Sequence, residues 1–231
     1  MVHDEEARRV DTNVALNNAG VTLLEKGYAG RALQVWHNIL QPEPNGSHNT
    51  TTLLVQQTNE WTQQPSSNVF VMDVNVLNDN DTKSLTDAVL YGPSSSMVFA
   101  LRLCGGGVTT TTGSQHYQKA VCLYNWAMAY RCHYAETNQL ASLAGAQQAL
   151  RACHQVLLQQ QQQQQQGRGA GTTRSHSTAT ASSFTPTYLW ALAECARERV
   201  VKEQQRHVVL AATSADCKPS VRWQPPAPQA V

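Results

Sequence analysis

A mainly α fold, made of stacked antiparallel helical hairpins with a small β element inserted between them, is predicted by three observations. The stretch NNAGVTLLEKGYAGRALQVW, residues 17–36, carries two apolar runs at helical spacing on either side of a glycine. A second pair of such runs, YQKAVCLYNWAMAYRCHY and LAGAQQALRACHQVLLQ, begins near residue 116. Between the two pairs, NVFVMDVNVL and MVFALRL alternate apolar residues at the strand period of two.

The bulk numbers bound what such a fold can do. The chain has 231 residues, of which 41% are apolar, so part of it can build a core. Charged residues make up only 14%, against roughly 25% in ordinary soluble domains. Gln, Asn, Ser and Thr replace them unevenly, so the ordered domain is expected to be smaller than the chain: a single domain over residues 1–211 and a disordered tail over 212–231. A net charge of +1 and a pI near 7.7 give no footprint for nucleic acid, which requires a basic face. No polybasic patch suits anionic lipid, and no apolar run approaches the roughly 18 residues of a membrane span. The start, MVHDEEARRV, lacks the apolar stretch of a secretory signal. An intracellular protein, cytoplasmic or nuclear, is therefore expected, with its six cysteines reduced and its three N-x-S/T triplets bare.

Each element follows from local pattern. Asp11 or Thr12 is placed to cap a helix from about Asn13 to Lys26, with Val14, Leu16, Ala19, Leu23 and Leu24 apolar. Gly27 ends it, because a residue without Cβ enters the left-handed region cheaply. A return helix covers about Tyr28 to Leu40, where QPEPNG stops it, so the first hairpin is residues 11–40. Residues 41–115 form the insertion. In it one strand turns Phe70, Met72, Val74 and Val76 to one face and Asp73 and Asn75 to the other. Another turns Met97, Phe99, Leu101 and Leu103 one way and Arg102 the other. SLTDAVLY between them suits a short helix or a third strand, and CGGGVTTTTGS after them a loop. The second hairpin is assigned to residues 116–158, with about seven extra residues in its turn around ETNQLAS. Eight glutamines, Gln159–Gln166, can extend the preceding helix but offer nothing to bury, so residues 159–185 read as a linker. Thr185-Pro186 opens a last helix over residues 186–211, with Thr as cap and Pro where its missing N–H costs nothing. Its Tyr188, Leu189, Trp190, Leu192 and Ala193 fit it to cap one end of the stack.

The two hairpins overlay. Asn18 is followed by Gly20 and Leu23, then Ala32, Trp36 and Ile39; Asn125 is followed by Ala127 and Tyr130, then Ala146, Leu150 and Cys153. YNWAMAY at Tyr124–Tyr130 and GYAGRALQVW at Gly27–Trp36 resemble the first- and second-helix signatures of the tetratricopeptide repeat (TPR). The small residues would sit where helices cross closest, and Trp36, Tyr130 and Leu150 would fill the gaps beside them. The resemblance is degenerate: Gly20 and Ala127 lie 107 residues apart, whereas tandem repeats recur at about 34.

The TPR resemblance implies a concave groove, lined by first helices, that grips a peptide or partner segment. Carried over by position, Asn17, Asn18 and Val21 would face it from the first hairpin, and Tyr124, Asn125, Met128 and Arg131 from the second. An asparagine amide both donates and accepts, which suits it to a peptide backbone, either a partner's or that of the chain's own fold. A non-catalytic protein-binding scaffold without cofactor is the expected function. Cys132-His133 and Cys153-His154 mimic a zinc motif, but on returning helices the pairs would lie about 15 Å apart, and no metal is expected. Two other readings stand beside the scaffold: a small α+β enzyme using Cys104 with His116 in reach, and an assembly module driven by the polyglutamine.

Overall fold

The computed structural model describes residues 2–40, 68–74, 97–103, 112–169 and 185–216. Among these the protein is mainly helical, with helices α1 (Val2–Glu25), α2 (Ala29–Leu40), α3 (Thr112–Thr137), α4 (Leu140–Gly169) and α5 (Thr185–Asp216). Strands β1 (Val69–Val74) and β2 (Val98–Leu103) form a two-stranded sheet. Consecutive helices pack side by side through the whole series; α1 also meets α3, and α3 meets α5. Strand β2 lies against α1 and α3.

The first turn is closed as its sequence requires. Gly27 has φ +77°. The Tyr28 N–H donates to the Leu23 carbonyl at 2.9 Å and the Gly27 N–H to that of Leu24 at 3.0 Å, satisfying two carbonyls at the end of α1. The second turn reaches the same end without glycine. Asn138 takes φ 55° and its N–H donates to the Tyr134 carbonyl at 2.7 Å. Only Asn138 and Gln139 separate α3 from α4, so the extra residues expected in that turn are instead additional helix on either side of it.

Three helix boundaries run past expectation for a common reason, that nothing in the local sequence stops the helix; a fourth, the start of α3 at Thr112 rather than near residue 116, takes in Gly113. HDEEARRV holds neither Gly nor Pro, so α1 begins at Val2 and neither Asp11 nor Thr12 caps it. The glutamines continue α4 to Gly169, well into the assigned linker, and Gln160 is buried at 7% exposure, against the expectation that the tract buries nothing. Helix α5 continues past residue 211 to Asp216. The rest of the linker (170–184), the remaining tail (217–231), SLTDAVLY and residues 104–111 of CGGGVTTTTGS lie outside the described residues, whereas the last three residues of that stretch, Thr112, Gly113 and Ser114, open α3 instead of forming loop.

Small residues set among large ones make the helix crossings. Gly20, Ala32, Ala127 and Ala146 are buried, the three alanines fully, while Trp36 and Leu150 are the bulky neighbours with no exposure. A Cβ on Gly20 would lie 2.8 Å from the Trp36 ring, and one on Gly145 would lie 2.7 Å from Tyr130. Helix α5 closes the series with Leu189, Leu192, Ala193, Ala196 and Val200 buried. Three of these are large aliphatics, each contributing roughly 1.5–3 kcal/mol by burial. A chain ending at residue 184 is therefore expected to melt about 5–10 °C lower; an unchanged calorimetric melting curve would show that α5 caps nothing.

The α4–α5 contact also carries a pH dependence. His154 stacks on Trp190 with ring centroids 4.5 Å apart, and its Nε2 lies 3.7 Å from the Glu194 carboxylate. Burial pushes the imidazole below its ordinary range, although Glu194 pulls it up. The folded state thus prefers neutral His154. Its contribution is fully present above the unfolded imidazole's value, about 6.5, and declines as pH falls below it. Urea unfolding at pH 7.5 and 5.5 should show that His154→Phe lessens this loss; an identical pH dependence would count against it.

The sheet has a direction that the sequence leaves open, and it differs from expectation in burial. The strands pair in parallel, Val69 opposite Val98 through Val74 opposite Leu103. Parallel strands need a long crossover, which explains why the two runs are far apart in sequence. Strand β2 is buried on both faces rather than one, with Val98, Phe99, Ala100, Leu101 and Leu103 all at 8% exposure or less, because helices and β1 enclose it. In β1 the expected inward residue Phe70 is 47% exposed, and Val69, Val71 and Met72 are the residues packed on the core.

Candidate functional site

Three asparagines on α1 and α3 converge on the backbone of β2. The Asn125 side chain accepts from the Leu101 N–H at 2.8 Å and donates to the Leu101 carbonyl at 2.7 Å. Asn18 treats Leu103 in the same way, accepting from its N–H at 2.8 Å and donating to its carbonyl at 2.7 Å. Asn17 adds a second donor to the Leu101 carbonyl at 3.0 Å. Residues two apart on a strand turn their main-chain groups to the same edge, so one edge of β2 meets the asparagines and the other meets β1. The amides thus act as a surrogate strand: each supplies one donor and one acceptor, which is what one residue of a neighbouring strand would supply.

The clasp is itself held in place. The Asn17 carbonyl oxygen accepts from Asn125 Nδ2 at 2.9 Å and from the Trp36 indole N–H at 3.1 Å. Asn17 and Asn125 have no solvent exposure, so these bonds are made away from water, where an unmade one is costly. Trp36 therefore does two things: its ring fills the space over Gly20, and its N–H orients the amide that joins the two hairpins.

The other predicted groove residues are distributed differently. Tyr124, Met128 and Arg131 line a small cavity of about 20 Å³, shared with Met97 and Phe99 at the start of β2 and with Leu192, Cys195, Ala196 and Arg199 of α5. Arg131 is 5% exposed and pairs with Glu203 of α5 at 3.3 Å. Val21 is fully buried in the core and is not among the residues bonded to β2. Sequence reading missed Trp36 as a positioning residue and missed Glu25, which pairs with Arg102 of β2 at 3.0 Å. One signal was present: Asn17 lies between Leu16 and Ala19, on the apolar side of α1, where a polar group requires a partner.

The paired Cys-His motifs lead apart. His133 hydrogen-bonds Ser142 at 2.9 Å, whereas His154 stacks on Trp190. Among the described residues no three His, Cys, Asp or Glu side chains converge as a metal shell would need. Burial pushes the thiols of Cys122, Cys132 and Cys153 up to about 12, so they are protonated and weakly nucleophilic at neutral pH. Cys104 lies outside the described residues. No described helix is long and apolar enough to cross a membrane. Comparison with known proteins gives no matching family, no matching curated protein and no matching solved structure.

Proposed function

We propose that the chain is a non-catalytic protein-binding scaffold of TPR-like construction, whose α1 and α3 present asparagines that clasp an extended polypeptide. The observation that carries this reading is the two-point grip on Leu101 and Leu103. A groove bonded to main-chain N–H and C=O groups is chemically suited to peptides and has little to offer a small metabolite. The consecutive packing of the helices and the interlock of Gly20 with Trp36 support the repeat-like construction. The protonated state of the three buried thiols favours binding over nucleophilic chemistry on these helices.

Affinity capture from the native cell with the full chain tests the reading. A partner retained by the parent chain and lost on Asn18→Ala, with helix content unchanged by circular dichroism, is the expected result. A partner indifferent to that substitution would place its binding elsewhere and refute the clasp as the interaction site.

A further inference from the structure

We infer that β2 is a tethered stand-in for a partner segment, and that an extended chain of the pattern apolar–aromatic–alanine–leucine–basic–leucine displaces it from the asparagine clasp. The displacement rests on the reading of the inner face as a clasp for extended polypeptide, and it specifies which polypeptide.

The clasp itself reads only backbone. Asn18 and Asn125 bond the N–H and C=O of one residue each, groups that any extended segment supplies. Selection therefore falls to the side chains of the occupant, and β2 shows what the site accepts. Ala100 has no exposure, so the wall beside it leaves room for a small side chain. Leu101 and Leu103, at the two clasped positions, are each 1% exposed and call for a leucine-sized group. Arg102 turns away from them to Glu25 at 3.0 Å, with Asp73 of β1 at 3.9 Å, so the position between the leucines selects a cation.

The start of the strand borders the small cavity beside Met97 and Phe99, although its Val98 N–H donates to the Asn68 carbonyl at 2.9 Å. The Arg199 guanidinium reaches the Met97 carbonyl only at 3.4 Å. An incoming chain would begin there and advance toward Leu103, remaking each asparagine bond as β2 releases it. The exchange conserves hydrogen bonds, so its difficulty lies in competition. A tethered strand acts as a competitor at an effective concentration in about the millimolar range, which keeps the parent chain self-occupied against weak ligands.

The test uses the full chain and a fluorescein-labelled peptide with the sequence of residues 97–103, MVFALRL, read by fluorescence anisotropy. The parent chain should bind it only near millimolar concentration. Leu103→Ala weakens the tethered strand at a site the peptide can refill with its own leucine, so that variant should bind on the order of a hundredfold more tightly. Peptides carrying A100L or R102E should lose that gain. A folded Leu103→Ala chain with no gain, or a gain shared by all three peptides, would overturn the exchange. Should the variant not fold, hydrogen exchange on the parent chain decides. Leu101 and Leu103 amides that open well before those of Ala127 and Met128 in α3 support displacement; amides that exchange only together with α3 refute it. A captured partner undisturbed by the peptide would remove the displacement while leaving the scaffold reading intact.

Discussion

Replacing Asn125 with alanine is expected to lower the unfolding free energy by about 2–4 kcal/mol, among the largest effects of any polar substitution in the protein. The substitution removes an acceptor from the Leu101 N–H and a donor from both the Leu101 and Asn17 oxygens. The two oxygens keep other donors, since Asn17 still reaches the Leu101 carbonyl and Trp36 still reaches Asn17. The Leu101 N–H has no such substitute, and at 1% residue exposure water is a poor replacement. The same change at Asn18 strands the N–H of Leu103, which is as buried as Leu101, but it vacates a partly exposed site that water can enter, so it should cost less, about 1 kcal/mol. Chemical denaturation of both variants measures the difference; equal losses would show that burial does not set the cost.

Asn125→Asp sharpens this expectation. An ionised carboxylate at that position still accepts from Leu101 but faces the Leu101 and Asn17 oxygens with no proton to offer. Burial and those oxygens would raise its folded pKa above the unfolded value of about 3.9. A raised carboxyl favours the protonated form in the folded state, so the variant's stability is fully present below the unfolded value and falls as pH rises through the folded one. The aspartate variant should therefore lie closer to the parent chain at pH 4 than at pH 7, and a constant gap would contradict the role assigned to the amide protons.

Gly20→Ala is the second large effect, about 1–3 kcal/mol from a single methyl group. The added Cβ would stand 2.8 Å from Cζ2 and 2.9 Å from Cε2 of Trp36. The indole has little freedom to retreat, being fully buried and bonded through its N–H to Asn17. Gly145→Ala creates a similar overlap with Tyr130, yet that ring is only partly buried and can swing outward, so its cost should be smaller. Shrinking the obstructing ring provides the check. In a Trp36→Phe background the Gly20→Ala penalty should fall by at least about 0.5 kcal/mol, the size of coupling expected between touching residues. Strict additivity would mean that the glycine is not answering the tryptophan.

The two effects describe one joint. Gly20 allows Trp36 to close on α1, and Trp36 then fixes Asn17, which receives Asn125 from the second hairpin. Packing and polar recognition are linked through a single indole, so damage to the steric interlock should also loosen the clasp. Such coupling is a physical reason for a buried asparagine cluster in a helical stack that could have been held by apolar residues alone.

Much of this was legible in the chain. Helical periodicity, the glycine at position 27 and the small–large offsets around Gly20, Trp36 and Ala127 are local or short-range properties, so the sequence determined the helices, the first turn and the residues at the crossings. The pairing of asparagines with backbone was legible as chemistry. What only the tertiary structure decided was whose backbone. Strand β2 reaches Asn17 and Asn18 across more than 80 residues of sequence, and its alternating pattern, which suits a strand with one wet face, does not reveal that both faces are buried. Strand direction was equally out of reach, because side-chain alternation is the same in parallel and antiparallel pairs. Periodicity reports which way a side chain turns from its own backbone; which other segment meets it depends on long-range packing that no local pattern encodes.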